Sequence, residues 1–178
     1  MKILVVCSYK PQLPEGCVPF VREQVDALRA RGCDCAYHHI KGKGMLGYLR
    51  ELPKLRKAIK ENNPDVIHAH FGLTGLIAGL ATVGTRVPVV VTYHGCDINA
   101  KKLRPFSRVA MRLAARNIFV SKRQMINAYG SEVRAAKATK GCIMPCGINT
   151  KLFDANQVDH AWFDAKFGKV DKVLFADS

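Results

Sequence analysis

Short runs of apolar, β-branched residues alternate along this chain with segments of helical periodicity, and most of these runs end in a polar or glycine-containing turn. The pattern predicts strands at residues 2–9, 33–40, 65–71, 88–94, 117–120 and 141–144. Strands that alternate with helices are typical of a parallel sheet, because each parallel connection needs a crossover element. The predicted fold class is therefore α/β, with a doubly wound, mainly parallel Rossmann-like sheet and helices on both faces.

Helices are predicted between these strands from the i, i+3, i+4 spacing of apolar residues. They cover residues 19–31, 46–59, 73–83 and 159–166, a segment that starts at Pro105, and a segment from Ser121 to about Gly130. Pro53 should kink or split the second of them, since proline removes a helical hydrogen bond. In the helix from Pro105, we expect Phe106, Val109 and Leu113 to point inward. Ser121-Lys122-Arg123-Gln124 has the pattern of a capping box.

Composition excludes several classes of protein. The 178 residues are 48% hydrophobic, and no apolar run approaches the roughly 20 residues that a membrane span needs. The first apolar run is too short for a signal peptide and has no cleavage site. Seven cysteines, an odd number without framework spacing, indicate reduced thiols and a cytoplasmic location. Cys33-x-Cys35 and Cys142-x3-Cys146 do not match zinc spacings, and the alternate pair His68 and His70 is better explained by packing than by chelation.

The charge balance is strongly basic, with 28 Lys and Arg against 14 Asp and Glu. No acidic residue occurs from Ile98 to Ser131, whereas basic residues are frequent there, including Arg104, Arg108, Arg112 and Arg116. The last three recur every four residues, which predicts one helix face on which like charges repel. Two interpretations stay open: a solvated face, or contact with an anionic membrane surface that would place the protein on the inner face of the cell membrane.

Turns with polar residues or glycine follow five of the predicted strands, at Gly16, at His68–His70, at His94–Asp97, at Ser121–Lys122 and at Cys146–Gly147. In open α/β sheets the ligand crevice lies outside the carboxyl ends of the strands, so these turns predict a ligand-binding rim. G-x-G-x-x-G, G-x-x-x-x-G-K-[ST] and G-x-S-x-G are all absent, which disfavours a standard dehydrogenase, a P-loop NTPase and an α/β hydrolase.

The order of the motifs is the most specific signal. KILVVCSY, GCVPFVREQVDALRARG, DVIHAHF, VTYHGCDIN, ARNIFVSK and MPCGINTKLF follow one another over nearly the whole chain. In this order and spacing the chain resembles the amino-terminal domain of glycosyltransferase family 4, whose members are retaining nucleotide-sugar enzymes with the two-domain GT-B architecture. The resemblance implies that this chain is one half of such an enzyme, and that the whole enzyme is a metal-independent glycosyltransferase of the hexosyltransferase type.

The resemblance also implies roles for individual residues. His94 would face the transferred sugar as the catalytic histidine, and Gly16 would belong to the loop beside the donor diphosphate. Asp97, Ser121, Lys122 and Gly147 would border the cleft on the acceptor side. The partners implied are a nucleotide sugar and a glycan or lipid-linked acceptor, in polysaccharide or glycolipid assembly. No metal or other cofactor is expected, because the nucleotide sugar is a substrate.

Residues 1–170 are expected to form the acceptor-side domain, and residues 171–178 the start of a carboxy-terminal donor domain that the chain lacks. By the resemblance, the chain alone would be inactive. A stand-alone nucleotide or sugar-phosphate binding module without catalysis is the alternative. A nucleic-acid-binding domain fits the charge but lacks the aromatic-basic motifs of that class, so no nucleic acid is expected as a partner. The donor sugar, the acceptor and the oligomeric state are not encoded in these motifs.

Overall fold

The computed structural model describes residues 1–148, 150, 154, 156 and 159–169. The chain divides into two compact units, Met1–Gly147 and Ile148–Ser178. The domain boundary expected at residue 170 stays a prediction, and the last expected strand, residues 172–176, lies outside the described residues.

Six parallel strands form one sheet in the first unit, in the spatial order β2-β1-β3-β4-β5-β6. Their bounds are β1 Lys2–Ser8, β2 Asp34–Ile40, β3 Val66–His70, β4 Val89–Tyr93, β5 Arg116–Phe119 and β6 Gly141–Ile143. The chain moves outward from β1 to β2, returns past β1 to β3 and then proceeds in one direction. The order therefore reverses between β1 and β3, which is where a doubly wound sheet forms its crevice.

Nine α-helices are found in the described part of the chain. They are α1 Pro19–Arg29, α2 Gly44–Arg50, α3 Leu52–Asn62, α4 Gly72–Ala81, α5 Cys96–Asn99, α6 Arg104–Leu113, α7 Lys122–Tyr129, α8 Glu132–Ala136 and α9 His160–Phe167. The predicted split at Pro53 is confirmed, since α2 ends at Arg50 and Pro53 stands in the first turn of α3. The short helices α5 and α8 were not predicted, because four or five residues carry too little periodicity.

The core has one layer on each face of the sheet. Alternate residues of β1 point to opposite faces, so Val5 packs with Val21 and Val25 of α1, while Leu4 and Val6 join the layer that contains Leu55 of α3. Residues of α4, α6, α7 and α8 also belong to that second layer. The predicted α/β, doubly wound Rossmann-like class with helices on both faces is confirmed.

The predicted inward face of α6 is wrong. Phe106, Val109 and Leu113 are 36%, 41% and 39% exposed, and the buried residues of the helix are Ser107, Ala110 and Met111. The reason is a close approach of α6 to α4: a Cβ on Gly72 would overlap Ser107, and one on Gly79 would overlap Leu113. Ser107 therefore lies directly against Gly72 on the inner face, and Leu113 contacts Gly79 from the edge of the helix.

Candidate active site

His94 directly follows β4 at the carboxyl rim of the sheet, and three rings surround it. The ring centroids of Phe20 and Phe71 lie 4.5 and 4.7 Å from that of His94, and His70 stacks on it at 5.4 Å. His94, Phe20 and Phe71 are all half-buried, so parts of their rings remain accessible. These residues come from α1, β3 and the loops after β3 and β4, next to the reversal in strand order.

The backbone of Phe71 is strained. Its φ of 73° and ψ of 151° fall in a region that is occupied almost entirely by glycine, at a cost of about 1–3 kcal/mol. The peptide is held in place because Phe71 N–H donates to the carbonyl of Thr92 at 2.8 Å, and the Phe71 carbonyl accepts from Gly75 N–H at 2.9 Å. The strained turn brings the Phe71 ring against His94.

His94 is an uncharged imidazole with both ring nitrogens near other groups. Its Nε2 lies 3.1 Å from Nδ1 of His70, and its Nδ1 lies 3.8 Å from Sγ of the exposed Cys146. Burial lowers the pKa of His94 to about 4, because the charged form is poorly solvated there. At neutral pH the ring therefore acts through hydrogen bonds rather than through charge.

Asp97 holds the loop that carries His94. Its Oδ1 accepts hydrogen bonds from the backbone N–H groups of His94 at 3.2 Å and Gly95 at 3.0 Å, and its Oδ2 accepts one from Gly72 N–H at 3.0 Å. The side chain is buried, and burial raises the pKa of Asp97 above its ordinary value. The hydrogen bonds from these three N–H groups act in the opposite direction but do not cancel the rise. Asp97 thus ties the His94 loop to the first turn of α4, where a carboxylate is also favoured by the helix dipole.

Gly16 lies in a 3-10 turn after β1, Pro14–Gly16, with a φ of 66°. A Cβ at this position would stand 2.7 Å from the Tyr9 ring, so only glycine fits without a shift. Its N–H donates to the carbonyl of Leu13 at 3.0 Å and its carbonyl accepts from Lys10 N–H at 2.7 Å. A phosphate contact through this amide would need that turn to open, and the predicted role of Gly16 stays a prediction.

Ser121 and Lys122 begin α7, as predicted. Ser121 Oγ accepts from Gln124 N–H at 3.2 Å, and Gln124 Oε1 accepts from the N–H of Val120, one residue before the position expected for a capping box. Lys122 forms an exposed ion pair with Glu132 at 2.7 Å. The pair stands beside an apolar groove of about 360 Å³ that is lined by α7, α8 and β6. Ser121 and Lys122 follow β5, and His94 follows β4, which is the neighbouring strand in the sheet.

The predicted arginine stripe is wrong as a single helix face. α6 ends at Leu113, and Arg116 is the first residue of β5. Three of the four guanidinium groups donate to backbone carbonyls, those of Arg104 to Ile98, of Arg108 to Ala128 and of Arg116 to Thr139. The first two carbonyls lie at the carboxyl ends of α5 and α7, where cations are favoured. Arg108 and Arg112 remain exposed on α6.

Two features are absent from the residues that the structure describes. None of the helices there is long and apolar enough to cross a bilayer. No group of three or more His, Cys, Asp or Glu side chains within those ranges is arranged to hold a metal ion.

The structure therefore brings His94, Asp97 and Cys146, the neighbour of Gly147, to one place on the rim. A Cβ on Gly147 would meet nothing within 4 Å. Phe20, Phe71 and Gly72 also belong to this cluster and were not predicted as site residues. His70 belongs to it too: its turn was predicted to lie on the rim, but the residue was given no role in the site. The alternate pair His68 and His70 was the available signal for His70, but local spacing does not show that a strand-end histidine will meet a residue 24 positions later.

A family model and one relative match this chain in sequence. The model of Glycosyltransferase Family 4 matches residues 17–152. A Bacillus subtilis protein named as a teichuronic acid biosynthesis glycosyltransferase, TuaC, is 26% identical over 106 residues, which cover 57% of this chain and 27% of TuaC. The matched segment thus spans about a quarter of that relative.

Solved structures share the fold. HepE of Anabaena, in a crystal structure with UDP-glucose, matches 94% of this chain and 50% of its own with a TM-score of 0.66 at 19% identity. Sucrose-phosphate synthase of Thermosynechococcus elongatus matches 85% of this chain and 49% of its own, with a TM-score of 0.65 at 14% identity. The family match covers most of the chain and the parallel sheet agrees with it, so this chain belongs to glycosyltransferase family 4 and has the fold of its amino-terminal GT-B domain.

Proposed function

We propose that this chain is the acceptor-side domain of a retaining, metal-independent glycosyltransferase that moves a sugar, of the hexose type, from a nucleotide sugar to a glycan or lipid-linked acceptor. The observation that carries the proposal is the uncharged, half-buried His94 at the carboxyl rim, held by the Asp97 turn and lined by Phe20 and Phe71. Apolar ring faces pack well against the C–H groups of a sugar, while an imidazole nitrogen can hydrogen-bond one of its hydroxyl groups.

The uncharged state of His94 defines its role. A neutral imidazole carries no net charge, so it does not repel the positive charge that develops on a transferred sugar, as an imidazolium would. It orients the sugar through a directed hydrogen bond, which helps catalysis when that bond is stronger in the transition state than in the ground state. We take the donor to be a nucleotide sugar because HepE binds UDP-glucose and belongs to the same fold.

The fold similarity covers about half of each neighbour, HepE and the sucrose-phosphate synthase. We therefore propose that a second domain supplies the donor site and that this chain transfers no sugar by itself. Polysaccharide assembly is the proposed context, in line with the name of TuaC.

The test compares this chain with a protein that also carries the second domain, using release of nucleoside diphosphate from UDP-sugars with an acceptor glycan. We expect transfer only by the longer protein, and His94→Ala should lower its kcat by about 10²–10³-fold, the usual effect of removing one positioned hydrogen-bond donor. Arg31→Gln, an exposed change after α1, is the control and should leave kcat unchanged. A His94→Ala enzyme with normal kcat would contradict the proposal.

The alternative, a binding module without catalysis, predicts a different pattern. In that case this chain alone binds a nucleotide or a sugar phosphate, and no transfer is seen with either protein. Calorimetric titration of the chain with UDP and with glucose phosphate separates the two proposals.

We also propose that the protein is cytoplasmic and lies on an anionic membrane surface through α6. The exposed Phe106, Val109 and Leu113 stand beside Arg108 and Arg112, a combination of apolar and basic groups typical of interfacial helices. The proposed contact surface therefore differs from the predicted arginine stripe. It does not include Arg116, because that residue belongs to β5.

A further inference from the structure

Three imidazoles form a line from the interior of the sheet to the rim. Nε2 of His68 lies 2.8 Å from Oγ1 of Thr92 on the neighbouring strand. The rings of His68 and His70, alternate residues of β3, are 4.4 Å apart, and Nδ1 of His70 lies 3.1 Å from Nε2 of His94. His70 is fully buried, whereas His94 reaches the accessible rim.

All three rings are uncharged at neutral pH. Burial lowers the pKa of His68 and of His94 to about 4, and it lowers the pKa of His70 well below the ordinary value. Each neutral imidazole has one N–H and one bare nitrogen, so the contact between His70 and His94 needs a proton on one side only.

Two arrangements of protons satisfy this contact. In the first, His70 carries its proton on Nδ1 and donates to Nε2 of His94, whose own proton must then be on Nδ1. In the second, His94 carries its proton on Nε2 and donates to Nδ1 of His70, whose proton is then on Nε2.

The surroundings of His70 favour the first arrangement. Within the described residues, Nε2 of His70 is buried and has no hydrogen-bond partner. The second arrangement would leave an N–H group unpaired there, and orphaned buried N–H groups are rarer than under-used acceptors. The first arrangement leaves only a bare nitrogen.

Cys146 is consistent with this choice. Its Sγ lies 3.8 Å from Nδ1 of His94, and burial raises the pKa of the thiol, so the sulfur is not a thiolate. A thiol sulfur is a weak acceptor that an oxygen atom of a ligand readily replaces.

We propose that His70 is a positioning residue that fixes His94 as the Nδ1–H tautomer, so that His94 presents a hydrogen-bond donor at the rim. The group that His94 recognises is then an acceptor oxygen, such as a hydroxyl or phosphate oxygen of the sugar substrate, and it takes the place of the Cys146 sulfur. The identity of that ligand rests on the proposed function, whereas the tautomer of His94 does not.

The test is imidazole ¹⁵N NMR of this chain at pH 7 without ligand, with the His94 signals assigned from their loss in His94→Asn. We expect a protonated Nδ1 and a bare Nε2 on His94. A proton on Nε2 in the wild-type chain would overturn the proposal, whatever any variant does.

Variants of His70 separate positioning from packing. Asparagine places an amide near the position of Nδ1 and can still donate, so His70→Asn should keep the Nδ1–H form of His94. Leucine fills the space without a donor, so His70→Leu should shift His94 toward Nε2–H, the form that a free imidazole prefers. Retention of Nδ1–H in a folded His70→Leu chain would refute the proposal.

Thr92→Val is the matched control, because it removes the partner of His68 on the neighbouring strand and leaves the contact between His70 and His94 in place. The tautomer of His94 should not change. If His70→Leu does not fold, the wild-type and His70→Asn spectra still decide the question. Since the tautomer is measured without substrate, a lack of glycosyl transfer by the longer protein, which also carries the second domain, would refute the proposed function and not this assignment.

Discussion

Oδ2 of Asp97 accepts a hydrogen bond from the backbone N–H of Gly72 at 3.0 Å, across 25 residues of sequence. The same carboxylate accepts from the N–H groups of His94 and Gly95 through Oδ1. One side chain therefore joins the turn after β3 to the turn after β4 and sets the position of His94 relative to His70.

Asp97→Asn should lower the free energy of unfolding by about 1.5–3 kcal/mol, the usual worth of a hydrogen bond to a charged group. The amide has only one oxygen, so its NH₂ group would face one of the N–H donors that the carboxylate now serves. Urea titration followed by circular dichroism measures the change.

Asp26→Asn is the control for this substitution. Asp26 is an exposed carboxylate whose ion pair with Arg29, at 3.4 Å, lies on the surface of α1, and its loss should cost less than about 0.5 kcal/mol. If Asp97→Asn is as mild as Asp26→Asn, the carboxylate does not hold the two turns together.

Gly72→Ala should destabilise the domain by about 1–3 kcal/mol through overpacking between α4 and α6. The added Cβ would lie 2.7 Å from Cβ of Ser107 and 3.0 Å from its Cα, so a rotation of the serine side chain cannot relieve the overlap. Gly147→Ala, where a Cβ meets nothing within 4 Å, should leave the thermal midpoint unchanged. Equal midpoints for the two variants would show that the helices separate at little cost.

Acidification should destabilise the fold through its buried histidines. Burial lowers the pKa of His68 from 6.5 to about 4, so the unfolded chain binds protons first as the pH falls. Above about pH 6.5 His68 is neutral in both states and has no such effect. Between about pH 6.5 and pH 4 it lowers the free energy of unfolding progressively, by about 3 kcal/mol in total.

His68→Gln isolates this contribution, because glutamine can still hydrogen-bond Thr92 and does not titrate. Urea midpoints measured from pH 7 to pH 4 should fall less steeply in the variant than in the wild type. Parallel profiles would mean that other groups cause the acid sensitivity.

Binding to anionic vesicles should depend on the exposed side of α6. Arg112→Gln should weaken sedimentation with phosphatidylserine vesicles by about 1 kcal/mol, or about five-fold, the usual contribution of one basic residue near such a surface. Arg31→Gln removes the same charge just after α1, which packs on the opposite face of the sheet, and should have a smaller effect. Equal binding of the wild type to neutral and anionic vesicles would refute the membrane proposal.

Local patterns in the sequence were sufficient for the strands and most helices. The β-branched run before His94 predicted a strand with a site residue at its end, Pro53 marked the break between α2 and α3, and Ser121 predicted the start of α7. Each of these signals acts within a few residues, through backbone sterics or a capping hydrogen bond, so it is visible without knowledge of the fold.

Periodicity failed where tertiary packing decided the outcome. Arg108, Arg112 and Arg116 have helical spacing, yet α6 ends at Leu113 and Arg116 is the first residue of β5, where it pairs with Val90. In α6, Phe106, Val109 and Leu113 lie at the edge of the helix. Glycines of α4 let the two helices approach closely, so that Ser107 packs directly against Gly72.

The sequence by itself determined the family, the order of the elements and the position of His94 at a strand end. Only the tertiary structure decided that His70 contacts His94 and that Asp97 holds Gly72. These pairs lie 24 and 25 residues apart, and they meet because β3 and β4 are neighbours in a fixed register. That register results from packing of the whole sheet between its helices, which no local pattern encodes.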